Sequence, residues 1–228
     1  MAATWRGFDQ LLKADFHIHT KHSMDCDMAL EQIISRCQEK EINCIAIADH
    51  GTAEGALKMQ SIAPFTVIVA EEMLTPHGEI MGMFLKESIP SGLSVEETIS
   101  RIKVQGALVN IPHPFDVFRQ STLESNMIDN HIEQIDLMEV LNARYFMQRT
   151  AVKAQTFAQK NGIPQSAGSD AHTPDEIGNV YLEMPEFNGR DDFLQALIKG
   201  KVCGKRTHPL VHFNSAWARL KTNLKKDA

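Results

Sequence analysis

The sequence has few cysteines, no long apolar run and no excess of basic residues. Its cysteines contain no CxxC pair, so we expect reduced thiols in a cytoplasmic protein. No apolar run could cross a bilayer, and the N-terminus lacks the pattern of a signal peptide. Because the formal net charge is −6, we expect no stable complex with nucleic acid and no membrane partner. The oligomeric state is left open.

The length and composition suit one globular domain. The chain has 228 residues, of which 43% are apolar and 23% are charged, so it is able to bury a substantial core. We find no internal repeat and no low-complexity linker. We therefore expect one domain over residues 1–228, with a core over about 13–200 and a frayed basic tail over 214–228.

Short apolar runs alternate with polar turns and amphipathic stretches along the chain. Seven runs are predicted strands, at residues 14–19, 44–49, 66–71, 107–111, 135–141, 164–169 and 179–184. The predicted helices lie at residues 29–41, 94–105, 146–161 and 190–199. A segment at 79–85 follows the third strand after a short turn and is predicted to be a hairpin arm.

This alternation predicts an α/β fold with a parallel sheet and right-handed crossovers. Seven strands over this length favour a closed or nearly closed TIM-like (β/α) barrel, and an open doubly wound sheet is the alternative. The glycine-rich dinucleotide fingerprint is absent after the first strand, which weakens a nucleotide-cofactor interpretation.

The stretch DFHIHT, at residues 15–20, places two histidines two residues apart in an apolar run. Side chains alternate along a strand, so His17 and His19 are predicted to point the same way, toward the barrel axis. Two neutral imidazoles at this spacing can bind one metal ion. An isolated pair of this kind is more often merely hydrogen-bonded, so the other strand ends decide between the two interpretations.

The other predicted strands also end in polar residues with ligand chemistry. The residues at these ends are Asp49, His50, Glu71, Glu72, His113, Glu139, Asn142, Arg144, Asp170 and His172. Barrel enzymes build their active sites at the C-terminal ends of the strands, so these side chains are expected to converge there. Mixed imidazole and carboxylate ligands suit zinc, manganese or iron. There are too many candidates for one tetrahedral ion, so we expect two or three divalent metal ions that share carboxylates.

Taken in order, the motifs DFHIHT with a following SxD, IAIADHGT, VAEEMLT, IPHP and GSDAH resemble the polymerase and histidinol phosphatase (PHP) family. The resemblance extends from about residue 13 to about residue 184. It implies a distorted seven-stranded barrel, up to three metal ions at its C-terminal face, and phosphoesterase chemistry. Carried over by position, the implied metal ligands are His17, His19, Asp25, His50, Glu72, His113, Asp170 and His172.

Two positions near the predicted hairpin are of particular interest. Glu72 is the bridging carboxylate that the resemblance implies. Many family members carry a Gly-His pair on the hairpin arm, and this chain has Gly78-Glu79 instead. A glutamate binds the same metals, so Glu79 is a further candidate ligand, and His77 beside it is a weaker substitute.

The resemblance and the strand-end residues together predict a hydrolase of phosphate esters that acts on a small phosphorylated metabolite or nucleotide, with a phosphomonoesterase as the favoured kind and a diesterase left open. Arg144 is the candidate for neutralising phosphate charge, whereas Arg119 has little support. Asp170 and His172 are candidates for protonating the leaving oxygen. Asp15 and Asp49 are expected to accept the outer N–H of ligand imidazoles, or in the case of Asp49 to cap a helix. The alternatives are a metal-dependent C–N hydrolase of amidohydrolase type and a non-catalytic scaffold of the same fold.

Overall fold

Residues 11–206 are described by a computed structural model, in which strands and helices alternate. The strands are β1 (Leu12–Ile18), β2 (Cys44–His50), β3 (Thr66–Thr75), β4 (Gly78–Met83), β5 (Leu108–Ile111), β6 (Leu137–Asn142), β7 (Gln165–Gly168), β8 (Val180–Met184) and β9 (Lys201–Gly204). The helices are α1 (Leu30–Lys40), α2 (Glu54–Ile62), α3 (Val95–Val104), α4 (Ser125–Asn130), α5 (Gln148–Asn161) and α6 (Gly189–Ile198).

One sheet contains all of these strands, in the order β7-β6-β5-β4-β3-β2-β1-β8-β9. The pairs β1–β2, β2–β3, β5–β6 and β6–β7 are parallel, whereas β4 runs antiparallel to both of its neighbours. The sheet curls until the chain just after β7 meets the end of β1, where His19 N donates to Ala171 O at 2.9 Å. The result is a nearly closed, distorted α/β barrel, as the sequence predicts.

The number of strands differs from the seven that we expected. The predicted hairpin arm is β4, and it takes a place in the barrel wall between β3 and β5. The ninth strand, β9, was missed because it has four residues and no fully buried position, so no apolar run marks it. β8 pairs antiparallel with the N-terminal half of β1, and β9 pairs antiparallel with β8 at the edge of the sheet.

Local signals explain where several helices begin and end. Ser94 caps α3 by accepting a hydrogen bond from Glu97 N at 3.1 Å, as its position before an acidic first turn predicts. Gly162 ends α5 in the left-handed conformation, with φ of 67°. None of the helices between residues 11 and 206 has the length and apolar character of a membrane span.

Two apolar layers position the strands. The outer layer packs the helices against the sheet, and the inner layer fills the lower part of the barrel around Phe16, whose ring meets Phe193 edge-on at 5.4 Å. On β2 the inner layer ends with Ala48, and the next inward position is His50. The barrel interior is therefore apolar around Phe16 and polar at the C-terminal ends of the parallel strands.

The domain organisation that the sequence suggests is not tested by this structure. A single domain over residues 1–228 stays a prediction, and the predicted tail at 214–228 lies outside the described residues.

Candidate metal centre

β1 places two histidines at the end of the barrel where the parallel strands terminate. An irregularity in its register changes the direction of their side chains. Asp15 pairs with Ile45 and Ile18 pairs with Ile47, so β1 has one extra residue over this span. Such a bulge changes the direction in which successive side chains point. Here Phe16 lies in the inner core, and the adjacent His17 also points inward, 3.3 Å from Glu72. Regular alternation after Phe16 would turn His17 outward, so the bulge is what brings His17 to the interior side that the sequence analysis expected.

The structure brings every predicted metal ligand into one connected, largely buried cluster. The members are His17, His19, Asp25, His50, Glu72, Glu79, His113, Asp170 and His172. Most of them lie at or just beyond the C-terminal ends of parallel strands. Glu79 is near the start of β4, and because β4 is antiparallel its start lies at the same end of the barrel. Their assignment as ligands remains a prediction that rests on this convergence.

Four ligand atoms face one another near the ends of β1, β3 and β7. The Nε2 atoms of His17 and His19 are 3.2 Å apart, and Glu72 Oε2 lies 3.3 and 3.4 Å from them. Asp170 Oδ1 lies 3.8 and 3.3 Å from the same two nitrogens. Atoms that bind one ion at about 2.0–2.2 Å in a tetrahedron are separated from each other by about 3.3–3.6 Å. This set therefore has the spacing of one metal site.

Glu72 also belongs to a second set, with His50, Glu79 and His113. Its Oε2 is 3.4 Å from His50 Nδ1, and its Oε1 is 3.1 Å from His113 Nε2. Glu79 lies between the same imidazoles, at 3.2 Å from His50 Nδ1 and 3.3 Å from His113 Nε2. Glu72 thus faces both sets, which is the position that a bridging carboxylate requires.

A third set forms around Asp25 in the loop after β1. Asp25 Oδ2 lies 3.1 Å from His172 Nε2 and 3.5 Å from His50 Nε2. One ligand atom from each of Asp25, His19, His50 and His172 lies within 4.8 Å of the others. The second oxygen of Asp25 accepts from Ser23 Oγ at 2.8 Å, which fixes the carboxylate. The cluster therefore offers three overlapping sets of ligand atoms.

Backbone strain accompanies this convergence at two strand ends. His113 and Asp170 have φ of 32° and 53°, a region that non-glycine residues rarely adopt. Phe115, two residues after His113, has φ of 63°. Such conformations persist where surrounding contacts enforce them, and they concentrate at functional sites. The strain at His113 and Asp170 places both side chains inside the cluster.

A neighbouring carboxylate, which the sequence analysis listed at a strand end without giving it this role, orients two of the histidines. Glu139 Oε1 lies 3.0 Å from His17 Nδ1, and its Oε2 accepts from His113 N at 2.6 Å. We expected Asp15 and Asp49 in this role. Asp15 instead accepts backbone N–H groups, including that of Ser169 at 2.8 Å, and burial raises its pKa to about 6. Asp49 accepts from the backbone N and the hydroxyl of Thr20, and the N-cap position of α2 belongs to Ala53.

Two arginines reach the cluster from adjacent loops. The guanidinium of Arg119, in the loop after β5, contacts the Asp170 carboxylate. Arg144, just after β6, places Nη1 at 2.5 Å from His172 Nδ1 and at 3.4 Å from Asp170 O. Sequence reasoning gave Arg119 little weight, because a surface salt bridge was the competing interpretation of an arginine six residues after His113.

The cluster holds more buried negative charge than fixed positive charge. Burial alone would raise the pKa of Asp170, but the nearby charges of Arg119 and His17 hold it well below its usual range. Against the opposing effect of burial, the carboxylates raise the pKa of His17 well above its ordinary value. Glu72 Oε2 and Asp170 Oδ1 accept no hydrogen bond from the described residues. This excess of buried carboxylate charge is of the kind that bound divalent cations would balance.

The pKa of His19 is shifted in the opposite direction from that of His17. Burial and the adjacent imidazoles lower its pKa to about 3, so the ring is neutral and keeps a lone pair with which to bind a metal ion.

Two other residues near the hairpin lie outside the cluster. His77, the weaker candidate on the hairpin, pairs with Glu124 at 3.3 Å. Glu71 faces away from the barrel interior and accepts from Ile89 N at 3.0 Å, and burial raises its pKa to about 7.

Comparison with known families gives two matches. The model of the PHP domain matches residues 15–71, and the model described as PHP-associated matches residues 151–202. The protein MJ0417 of Methanocaldococcus jannaschii is 33% identical over 181 residues, which are 78% of this chain and 72% of that protein. The first family match contains His17, His19, Asp25 and His50.

Solved structures share the fold at low identity. A two-domain protein of Bacteroides vulgatus, which contains a predicted PHP-like metal-dependent phosphoesterase, superposes with a TM-score of 0.64 at 17% identity, over 90% of this chain and 70% of that one. An amidohydrolase of Chromobacterium violaceum, solved with bound sulfate and without metal, gives 0.59 at 15% identity, over 72% of this chain and 89% of that one. At these identities the likeness shows the fold alone.

Proposed function

The chain belongs to the PHP family of metal-dependent hydrolases, and on that premise we propose that it hydrolyses a small phosphorylated metabolite or nucleotide. The observation that carries the proposal is the pair of arginines, Arg119 and Arg144, beside the cluster of imidazoles and carboxylates. Two guanidinium groups match the charge of a phosphate, and each planar fork can donate two parallel hydrogen bonds to a pair of phosphate oxygens. Hydrolysis of a neutral amide would gain little from them.

The residues of the cluster suit two or three divalent ions. The first site would be held by His17, His19, Glu72 and Asp170. The second would use His50, Glu79 and His113 with the other side of Glu72, and the third would use Asp25 and His172. Divalent ions bound in this way supply Lewis acidity toward the phosphate oxygens and lower the pKa of a bound water molecule. Manganese, iron and zinc all accept this mixture of imidazole and carboxylate ligands.

The side chains of the protein bind the substrate and position the ligand groups. Arg119 and Arg144 hold oxygens of the phosphate and offset negative charge as it develops during in-line attack. Because Arg119 keeps Asp170 ionised, Asp170 is a ligand rather than an acid. His172 is placed as a ligand as well, because its Nε2 faces Asp25 and its Nδ1 accepts from Arg144, so we assign the proton for the leaving oxygen to solvent.

The C–N hydrolase alternative has one observation in its favour, the fold shared with an amidohydrolase. That similarity concerns the fold alone, whereas the phosphoesterase proposal rests on two specific side chains of the site, Arg119 and Arg144. A non-catalytic scaffold is disfavoured, because ligand-type side chains occupy all nine predicted positions. Metal analysis combined with two kinds of ester assay separates the three possibilities.

The test begins with metal content and phosphate esters. Manganese, iron and zinc are quantified in purified protein, and hydrolysis of p-nitrophenyl phosphate and of its bis-ester is followed with and without a chelator. We expect at least two bound ions and hydrolysis of the monoester that the chelator abolishes. Metal-loaded protein that cleaves neither ester but cleaves an amide would favour the C–N hydrolase.

Matched variants locate the activity. Replacing His17 and His19 together by alanine should remove metal and activity and leave a folded barrel. The control is His77→Ala, which removes an imidazole close in sequence but outside the cluster. Arg144→Ala should raise KM and leave the metals bound. Unchanged metal content in the double histidine variant would refute the proposed site.

A further inference from the structure

Two phenylalanine rings lie exposed beside each other at the rim of the metal centre. Phe118 is 54% exposed and Phe146 is 48% exposed, although large apolar side chains are usually buried. Their ring centroids are 4.8 Å apart, with an angle of 42° between the planes. They come from different loops, the one after β5 and the one after β6. The aromatic pair therefore forms a continuous apolar surface across two loops.

The aromatic pair is connected to the centre through the two arginines. Phe118 directly precedes Arg119, whose guanidinium contacts Asp170. Phe146 follows Arg144 by two residues, and Arg144 contacts His172. In each loop the arginine thus points into the cluster while the phenylalanine lies on its outer side. The exposed rings are therefore the apolar side chains that these two loops offer beside the arginines that would hold a phosphate.

Hydrogen bonds fix the backbone on both sides of the aromatic pair. Phe118 N donates to Asp116 Oδ1 at 3.2 Å, which closes a tight turn. Arg206 donates from Nη1 to Phe146 O at 2.8 Å and to Tyr145 O at 3.3 Å. The Tyr145 hydroxyl in turn donates to Glu139 O at 3.2 Å, next to the metal cluster. These bonds hold the rings in a defined position relative to the centre.

We propose that the aromatic pair of Phe118 and Phe146 binds a planar ring in the leaving group of the substrate, so that the preferred substrate is a nucleotide-like or aryl phosphate. The inference rests on the proposed phosphoesterase function and narrows its substrate class. A flat ring gains both stacking energy and burial against exposed aromatic side chains. An aliphatic substituent of a sugar phosphate gains much less.

The test uses two esters that share the reacting bond. Adenosine 5′-monophosphate and ribose 5-phosphate carry the same primary phosphate ester, and only the first carries a planar base. Manganese-loaded wild-type protein should have kcat/KM at least about tenfold higher for the nucleotide, with the difference in KM, because stacking one base on an aromatic side chain has an effect of this size. Binding of adenosine and of ribose is measured by calorimetry in parallel, so that one readout does not depend on turnover.

Variants assign the preference to the rings. Replacing Phe118 and Phe146 together by alanine should remove the preference and leave kcat/KM for ribose 5-phosphate unchanged. Phe118→Tyr keeps a ring and should keep the preference. The control is Val104→Ala, at an apolar position on α3 that is also exposed to solvent, by 84%.

The outcomes separate the two levels of the proposal. Equal kcat/KM for both esters in the wild type, or a preference that survives in the double alanine variant, overturns the inference and leaves the phosphoesterase intact. Adenosine that binds no better than ribose also overturns it. Wild-type protein that hydrolyses no phosphate ester refutes the proposed function itself. A dimer that dissociates in the double variant would show that a second copy covers the aromatic pair, and this also overturns the inference.

Discussion

Replacing Glu139 by glutamine should weaken metal binding without removing any proposed ligand. Glu139 receives three donors: His17 Nδ1 at 3.0 Å, His113 N at 2.6 Å and Asn142 Nδ2 at 3.0 Å. A carboxylate accepts all three, whereas a carboxamide has one accepting oxygen and one NH₂ group. Whichever way the glutamine is turned, its NH₂ faces at least one of these donors.

The magnitude follows from the orientation of that amide. If the amide oxygen still accepts the hydrogen bonds from His113 N and Asn142 Nδ2, the NH₂ group faces His17 Nδ1. The imidazole must then carry its proton on Nε2, which is the atom that faces His19 and Glu72. A ligand nitrogen that carries a proton cannot bind metal. Losses of this kind typically reduce metal affinity about 10- to 100-fold, or about 1.4–2.7 kcal/mol.

The assay is a competitive titration with a fluorescent metal indicator, followed by thermal unfolding with and without manganese. Affinity should fall by the stated factor, and the loss of thermal stability should be larger with metal than without it. Glu87→Gln, at an exposed carboxylate, is the control. Unchanged affinity in the Glu139 variant would refute the orienting role. An equal loss of stability in both conditions would mean that Glu139 only supports packing.

Three further predictions concern a glycine beside His17, the reactivity of the thiols and the stability of the metal-bound protein. Gly168→Ala would put a Cβ 2.4 Å from His17 Cβ, so it should lower metal content and destabilise the fold by about 1–3 kcal/mol in urea unfolding. Of the four thiols, Cys203 alone should react with Ellman's reagent in native protein, because the others are buried and burial raises the pKa of Cys37 to about 12. Manganese at 100 times its Kd should raise the free energy of unfolding by about 2.7 kcal/mol, and an unchanged urea midpoint would contradict binding to the native state.

The barrel was predictable because its determinants are local. Buried parallel strands appear as apolar runs, and helices between them appear as a 3.6-residue period. Even the weak segment at 164–169 was predicted from its place in the alternation, and it forms β7. The position of β4 in the wall and the presence of β9 depend on pairing with strands that are distant in sequence. No local pattern specifies those pairings.

The candidate centre was predictable where ligand-type residues follow apolar runs, as in His17, His50 and His172. Arg119 and Glu139 were not predictable in the same way. Arg119 meets Asp170 across 51 residues, and Glu139 meets His17 across 122. Each role is created by a contact between different loops or strands. The bulge in β1 was hidden for a similar reason, since it is defined only by the register against β2.

The adjacent acids on β3 show how register decides which side chain enters the centre. β2 and β3 pair so that His50 is opposite Glu72 and Asp49 is opposite Glu71. Ile68 and Ala70 face the inner core, so Glu72 continues their face into the cluster, while Glu71 lies on the outer face with Val67 and Val69. A slip of one residue would exchange the two acids and would also move Ile68 and Ala70 to the outer face, where Val67 and Val69 now pack. The packing that selects the fold therefore also selects Glu72 as the acid shared by two sets of ligand atoms.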